Sequence, residues 1–127
     1  MMLMGGALLG FISVAFGAFA EHGLRESITD EHFRLLMTAI RYNQVNAVVI
    51  SAIGLVLLND KKFANSPILK WSGLLFIIGT VLFSFSIYFS VSFDIPELVK
   101  ITPVGGVTIM VAWLLLSMAG LTLKKKR

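Results

Sequence analysis

The sequence predicts an all-α integral membrane protein. We expect a four-transmembrane-helix bundle with an interfacial amphipathic helical extension before helix 2, all in a single domain over 1–127. Two observations carry this. Only 14% of the residues are charged, 57% are hydrophobic, and the mean hydropathy is +0.87. A soluble core of this size has nowhere to hide so much apolar surface. The charges are also clustered, in 21–41, 59–70, 94–100 and 124–127. The four uncharged stretches around them each approach the roughly 20 apolar residues that cross about 30 Å of hydrocarbon.

The first helix is expected over about 2–20. Its end reads "GAFAEHGL" at 17–24, in which Ala18-Phe19-Ala20 resembles a signal-peptidase site. No Lys or Arg precedes it, and the apolar run exceeds a usual signal-peptide core, so an uncleaved first helix is expected. The second helix is expected over about 30–58. Ser27 and Thr29 precede Asp30 and Glu31, a capping hydroxyl followed by acids that suit a helix N-terminus. Phe33, Leu36, Met37 and Ile40 then recur at helical spacing opposite Arg34, Thr38 and Arg41. That pattern suits a helix lying at the interface before it tilts inward. The third and fourth helices, about 67–91 and 103–123, start alike. Ser66-Pro67 and Thr102-Pro103 each place a capping hydroxyl before a proline at the first helical position. Between them, Asp94-Ile95-Pro96-Glu97 suits a single short turn.

Lipid gives helices no hydrophobic reason to associate, so small residues and interhelical hydrogen bonds must hold them. Helix 1 offers a seam of Gly6, Gly10, Ser13, Gly17 and Ala20. Helix 3 has Gly73, Thr80 and Ser84 near one face, with Gly79, Ser86 and Ser90 elsewhere. Helix 4 carries Gly105, Ala112 and Ala119 at seven-residue intervals, and Gly105-Gly106 permits close backbone approach. Trp113 is expected to pack mid-helix, and Trp71 to anchor at an interface.

Sidedness follows from the basic residues. The side bearing both termini has Lys61, Lys62, Lys70 and the "KKKR" of 124–127; the other has Arg25, Arg34, Arg41 and Lys100. The excess places both termini in the cytoplasm of a multi-pass cell-membrane protein, with "KKKR" as a stop-transfer anchor that also meets anionic lipid. The formal charge of +4 is accounted for in this way, and no nucleic-acid partner is expected because no basic stripe with interleaved aromatics exists. The absence of cysteine excludes disulfides, thiolate nucleophiles and cysteine-ligated metals.

Chemistry concentrates where helices 1 and 2 meet. Tyr42, Asn43 and Asn46 fall within about 100° of a helical wheel, and amides in hydrocarbon must be paired. The expected partners at that depth are Glu21 and His22, giving a polar cluster of Glu21, His22, Arg41, Tyr42, Asn43 and Asn46, with Arg41 pairing Glu21. It reads first as a structural clasp, and second as a proton, headgroup or metal site. Two histidines, one of them His32 in an expected exposed turn, make an incomplete zinc set, so no metal and no cofactor are expected.

"GAFAEHGL", "RYNQVNAVVISAIGL", "WSGLLFIIGTVLFSFSIY" and "ITPVGGVTIMVAWLLL" occur in that order. Over nearly the whole chain they resemble the YgdD/YwdK-like small bacterial inner-membrane proteins, a domain-of-unknown-function family with a small eukaryotic transmembrane relative. The most specific pieces are "GTVLFS" at 79–84 and "TPVGG" at 102–106. The resemblance implies a four-helix integral membrane protein and brings no established activity. Two departures matter. Where the family pattern has Gly-Ala-Phe-Gly-Ala-His, Glu21 precedes His22 here. Where it has Tyr-Gln-x-x-His, this chain has Tyr42-Asn43-x-x-Asn46. Asparagine replaces histidine as a hydrogen-bonding group but not as a proton carrier or metal ligand, which favours bracing.

The function expected first is that of a non-enzymatic structural, interaction or accessory protein. Its partners would be membrane lipids, with a homo-oligomer or a membrane-protein partner open. The alternative is binding or transport of a lipid or small amphipathic molecule in an inter-helix cavity, gated by Glu21 and His22. A membrane-embedded enzyme comes third, with that pair as its only acid/base candidates.

Overall fold

Thr29 opens the longest helix of the chain. Its extended backbone and its hydroxyl, which accepts from the His32 N–H at 3.1 Å, form the N-cap, and Asp30 and Glu31 follow in the first turn. The computed structural model describes residues 1–125. It consists of α1 (Met2–Phe19) continued by a π-helical turn (Ala20–Leu24), α2 (Asp30–Asn59), a short α3 (Lys61–Ala64), α4 (Pro67–Thr80), a π-helical turn (Val81–Phe85), α5 (Ser86–Ser92), a 3-10 helix (Pro96–Ile101) and α6 (Thr102–Lys125). Four stretches are long and apolar enough to cross a membrane: Met2–Leu24, Asp30–Asn59, Pro67–Ser92 and Pro96–Lys124. The chain is an all-α, multi-pass integral membrane protein. Of the "KKKR" anchor, Lys126 and Arg127 lie outside the described residues.

α2 and the α4–α5 crossing are the inner pair, α1 packs mainly on α2, and α6 mainly on α4. Small residues set these distances. A Cβ on Gly54 would lie 2.6 Å from the Leu3 backbone nitrogen, and one on Gly6 would lie 2.7 Å from that of Ser51. On the other side, a Cβ on Gly105 would collide with the Phe83 backbone, and one on Gly79 would lie 3.0 Å from the Ile109 nitrogen. Gly105, Ala112 and Ala119 are all buried, and the Ser72 hydroxyl crosses to the Ala112 carbonyl at 2.9 Å.

Two apolar clusters fill the interior. One gathers Leu9, Ala47, Ile50, Ile53, Phe76 and Ile109. The other, towards the Glu21 end, gathers Ala20, Leu36, Ala39, Ile40, Ile87 and Tyr88. The amphipathic extension over Phe33–Ile40 belongs to this second cluster: it is continuous with the crossing part of α2, and its apolar face is buried against α5 and the end of α1.

The start of the fourth crossing differs from expectation. A 3-10 helix of six residues replaces the single short turn and runs directly into α6. Thr102 is therefore helical (φ −54°, ψ −46°) and has no free helix end to cap; its hydroxyl meets that of Ser86 at 2.6 Å. Ser66, by contrast, caps α4 by accepting from the Leu69 N–H at 3.3 Å, with Pro67 following. Asp94, at φ 55°, makes the bend before the 3-10 segment.

Gly105→Leu forces a side chain into the Phe83 backbone, and overpacking of this kind costs about 1–3 kcal/mol. It should lower the thermal midpoint in detergent. Gly120→Ala, where a Cβ meets nothing within 4 Å, should not lower the midpoint, since alanine is the better helix former.

Candidate functional site

Asn43 and Asn46 sit on the inward face of α2, at 0% and 1% exposure. Their amide nitrogens donate to the Tyr88 hydroxyl at 2.9 Å and to the Thr80 hydroxyl at 3.0 Å. Between them the Ser84 hydroxyl donates to the Ala39 carbonyl at 2.7 Å. All three contacts are buried, and all join α2 to the third crossing. Thr80, Ser84 and Tyr88 are four residues apart, so on a continuous α-helix each would drift by about 40° around the axis. The π-helical turn at Val81–Phe85 falls between the first and last of them, and its extra residue per turn takes up that drift. Phe16 of α1 stacks on the Tyr88 ring, with centroids 4.1 Å apart, and closes the polar core from the other side.

This corrects the expected cluster. Glu21 does not reach Arg41; it accepts from Arg25, one turn on, at 2.9 Å across an exposed pair. His22 and Arg41 are exposed. Tyr42 is 45% exposed and packs edge-on against Phe83 rather than turning inward with Asn43. The reason is register. α1 and α2 run antiparallel with Gly10 beside Ala47 and Gly17 beside Ile40. Glu21 is thus level with Leu36, about 10 Å along the axis from Asn43. His32 is exposed in the first turn of α2, and among the described residues no three of His, Asp and Glu come close enough to share a metal ion.

The seam on α1 faces α2: Gly6, Ser13 and Ala20 are buried, and Gly10 and Gly17 half-buried. The Ser13 hydroxyl turns back to the Gly10 carbonyl at 2.6 Å. Gly79, Ser84 and Gly105 are buried, while Gly106 is half-buried beside Phe83. Trp113 meets Phe76 edge-on at 5.0 Å and is 44% exposed. The partners not anticipated from the sequence are Tyr88 for Asn43 and Thr80 for Asn46. The four-residue spacing of Thr80, Ser84 and Tyr88 within an apolar segment was the available signal.

The family model described as "Protein of unknown function (DUF423)" matches residues 16–106. A UPF0382 membrane protein of Haemophilus influenzae is 35% identical, over 87% of this chain and 86% of that protein. One from Staphylococcus epidermidis is 34% identical over 91% of each. The UPF0382 inner membrane protein YgdD of Escherichia coli K12 is 32% identical over 98% of this chain and 92% of that protein. No solved structure matches the chain.

Tyr88→Phe leaves the Asn43 amide unpaired in the interior. Interhelical bonds of this type are worth about 0.5–2 kcal/mol within a membrane, so a loss of that size is expected in reversible unfolding from detergent micelles. Replacing both partners, as Asn43→Leu with Tyr88→Phe, should recover part of the loss. Glu21→Gln and His22→Ala should not shift the transition.

Proposed function

The chain belongs to the DUF423 (UPF0382) family of membrane proteins, and within it we propose a non-enzymatic accessory role, exercised through the outer surfaces of its helices. One observation carries this reading. The buried amides of α2 donate to the third crossing, Asn43 to Tyr88 and Asn46 to Thr80, and the buried atoms left over, the Asn43 Oδ1 and the Ser92 hydroxyl, are not ionisable, while Glu21, His22 and Arg41 stand exposed. A proton relay or an acid/base pair needs titratable groups converging on a shared, shielded space, and Glu21 is already engaged by Arg25 on the surface. Purification of the full chain from membranes in a mild detergent should return either a self-associated species or one co-purifying membrane protein in fixed proportion. Recovery of a bare monomer by size-exclusion with light scattering, with no partner by mass spectrometry, would sink the proposal.

The same reading places both termini in the cytoplasm of the cell membrane, from the lysines at 61, 62, 70 and 124. The chain has no cysteine, so single-cysteine variants report sidedness without background. Ser27→Cys should be labelled in intact cells by a membrane-impermeant maleimide, and Asn65→Cys only after lysis. The reverse pattern inverts the topology.

A second reading, the binding of a lipid between helices, is favoured by the apolar grooves that flank α2. They favour binding rather than proton-coupled passage, because Glu21 lies at the helix end, paired with Arg25.

A further inference from the structure

α2 presents a lipid-facing ridge with a hollow on each side. Between α1 and α2 lies a groove of about 730 Å³, lined on the α1 side by Gly6, Ala7 and Gly10. Between α2 and α6 are two hollows. One, of about 350 Å³, runs from Tyr42 and Phe83 to Gly106 and Met110. The other, of about 380 Å³, is bounded by Val49, Ile53 and Leu116. Val48 and Ala52 line both the first groove and the last hollow, so they form the crest that separates the two sides. The α2–α6 crevice exists because Gly79 and Gly105 draw α6 onto α4 instead of onto α2.

One cation stands at the head of that crest. At about 100° per residue, Arg41 lies within about 40° of Val45, Val48 and Ala52 around the helix. Gln44 turns about 60° to one side, where it lines the α1 groove. Tyr42 turns about 100° to the other, where it lines the α6 crevice. All three side chains are exposed, and among the described residues the one ion pair is Arg25 with Glu21, so Arg41 has no acidic partner there. From Asn59 at the opposite end of α2, Arg41 is about 27 Å away along the axis. That is close to the hydrocarbon thickness of about 30 Å and sets the guanidinium at headgroup level.

We infer that this face of α2 holds one diacyl phospholipid from the leaflet at the Glu21 end, its phosphate on Arg41 and one acyl chain along each side of the Val48–Ala52 crest. The Tyr42 hydroxyl and the Gln44 amide, one at each mouth, are placed to donate to the two ester carbonyls. A guanidinium pairs with a phosphate through two charge-assisted hydrogen bonds, and the hollows offer hydrocarbon-lined space on both sides rather than one. A second copy of the chain suits the face less well, because a two-fold contact across the crest sets Arg41 against its own counterpart. The inference rests on the lipid-binding reading and gives it a ligand class.

Native mass spectrometry of the full chain in mild detergent, titrated with dioleoyl phosphatidylglycerol and with its single-chain lyso form, tests it. One diacyl lipid should be retained per chain, with the lyso form bound at least about fivefold more weakly. Arg41→Gln should weaken diacyl binding about tenfold, as expected for loss of a charged hydrogen bond, and Arg41→Lys should weaken it less. Ala7→Trp, filling the α1 groove, and Gly106→Leu, filling the α6 crevice, should each bring diacyl binding down towards the lyso level. Retention of no phospholipid at all overturns both the lipid-binding reading and this inference. Lyso and diacyl forms bound equally well, or binding untouched by Arg41→Gln, overturns this inference alone.

Discussion

A primary amide inside a bilayer has no water to bond, and α2 buries two of them, Asn43 and Asn46, at 0% and 1% exposure. Their need for partners fixes how the two inner crossings meet. The Tyr88 and Thr80 hydroxyls stand opposite because α4–α5 runs antiparallel to α2, and the π-helical turn between them keeps both in reach. Were α2 to rotate about its axis by one residue, about 100°, both amides would face lipid or another helix and lose these bonds. The apolar contacts alone define no such orientation, since lipid tails solvate Leu and Ile as well as a neighbouring helix does. The amides thus specify the rotation of α2, and the small residues specify how close the other helices come to it.

Those distances have a consequence for the outside of the molecule. Gly6 and Gly54 bring α1 hard against one side of α2, while Gly79 and Gly105 bring α6 hard against α4. The outer pair are therefore set unequally. α1 touches α2 along its glycine seam and leaves an open groove beside it, and α6 leaves a crevice on the other side. The exposed face of α2, with Val45, Val48 and Ala52, lies opposite the amide face, so one rotational choice made in the core also decides which residues meet lipid.

Much of the fold was legible because its signals are local. The four apolar runs, the Thr29 and Ser66 caps and the seam at Gly6, Gly10 and Ser13 each follow from composition or spacing within a single helix. The site was legible only in part. That Asn43 and Asn46 must turn inward follows from the cost of burying an unpaired amide. Which helix they turn towards does not, because it depends on register between distant segments. Glu21 was the partner favoured by chain proximity, yet the glycine contacts of α1 set it about 10 Å too far along. Thr102 was misread for a related reason. Its cap signal is real as a sequence pattern, but the 3-10 segment runs straight into α6, so Thr102 has helical backbone and its N–H bonds to the Val99 carbonyl, while its hydroxyl meets that of Ser86.

The distribution of charge extends the same logic to the ends of the bundle. Acidic side chains gather at one end, with Glu21, Glu26, Asp30, Glu31, Asp94 and Glu97, and only Asp60 at the other, where it accepts from the Lys62 N–H and so caps α3. All of these except Asp60, which is half-buried, are exposed. A charge in the hydrocarbon is tolerated only with a partner or a water-filled space, and the polar groups buried here, Asn43, Asn46, Thr80, Ser84 and Tyr88 among them, are uncharged amides and hydroxyls. The ionisable residues are thereby left free to set sidedness and to meet headgroups. Arg41 is the informative case. It lies two residues from a buried amide, on the same helix and near the same depth, yet points the other way. A cation in that place is tolerable only at the headgroup boundary, and this fixes how deep α2 sits in the membrane.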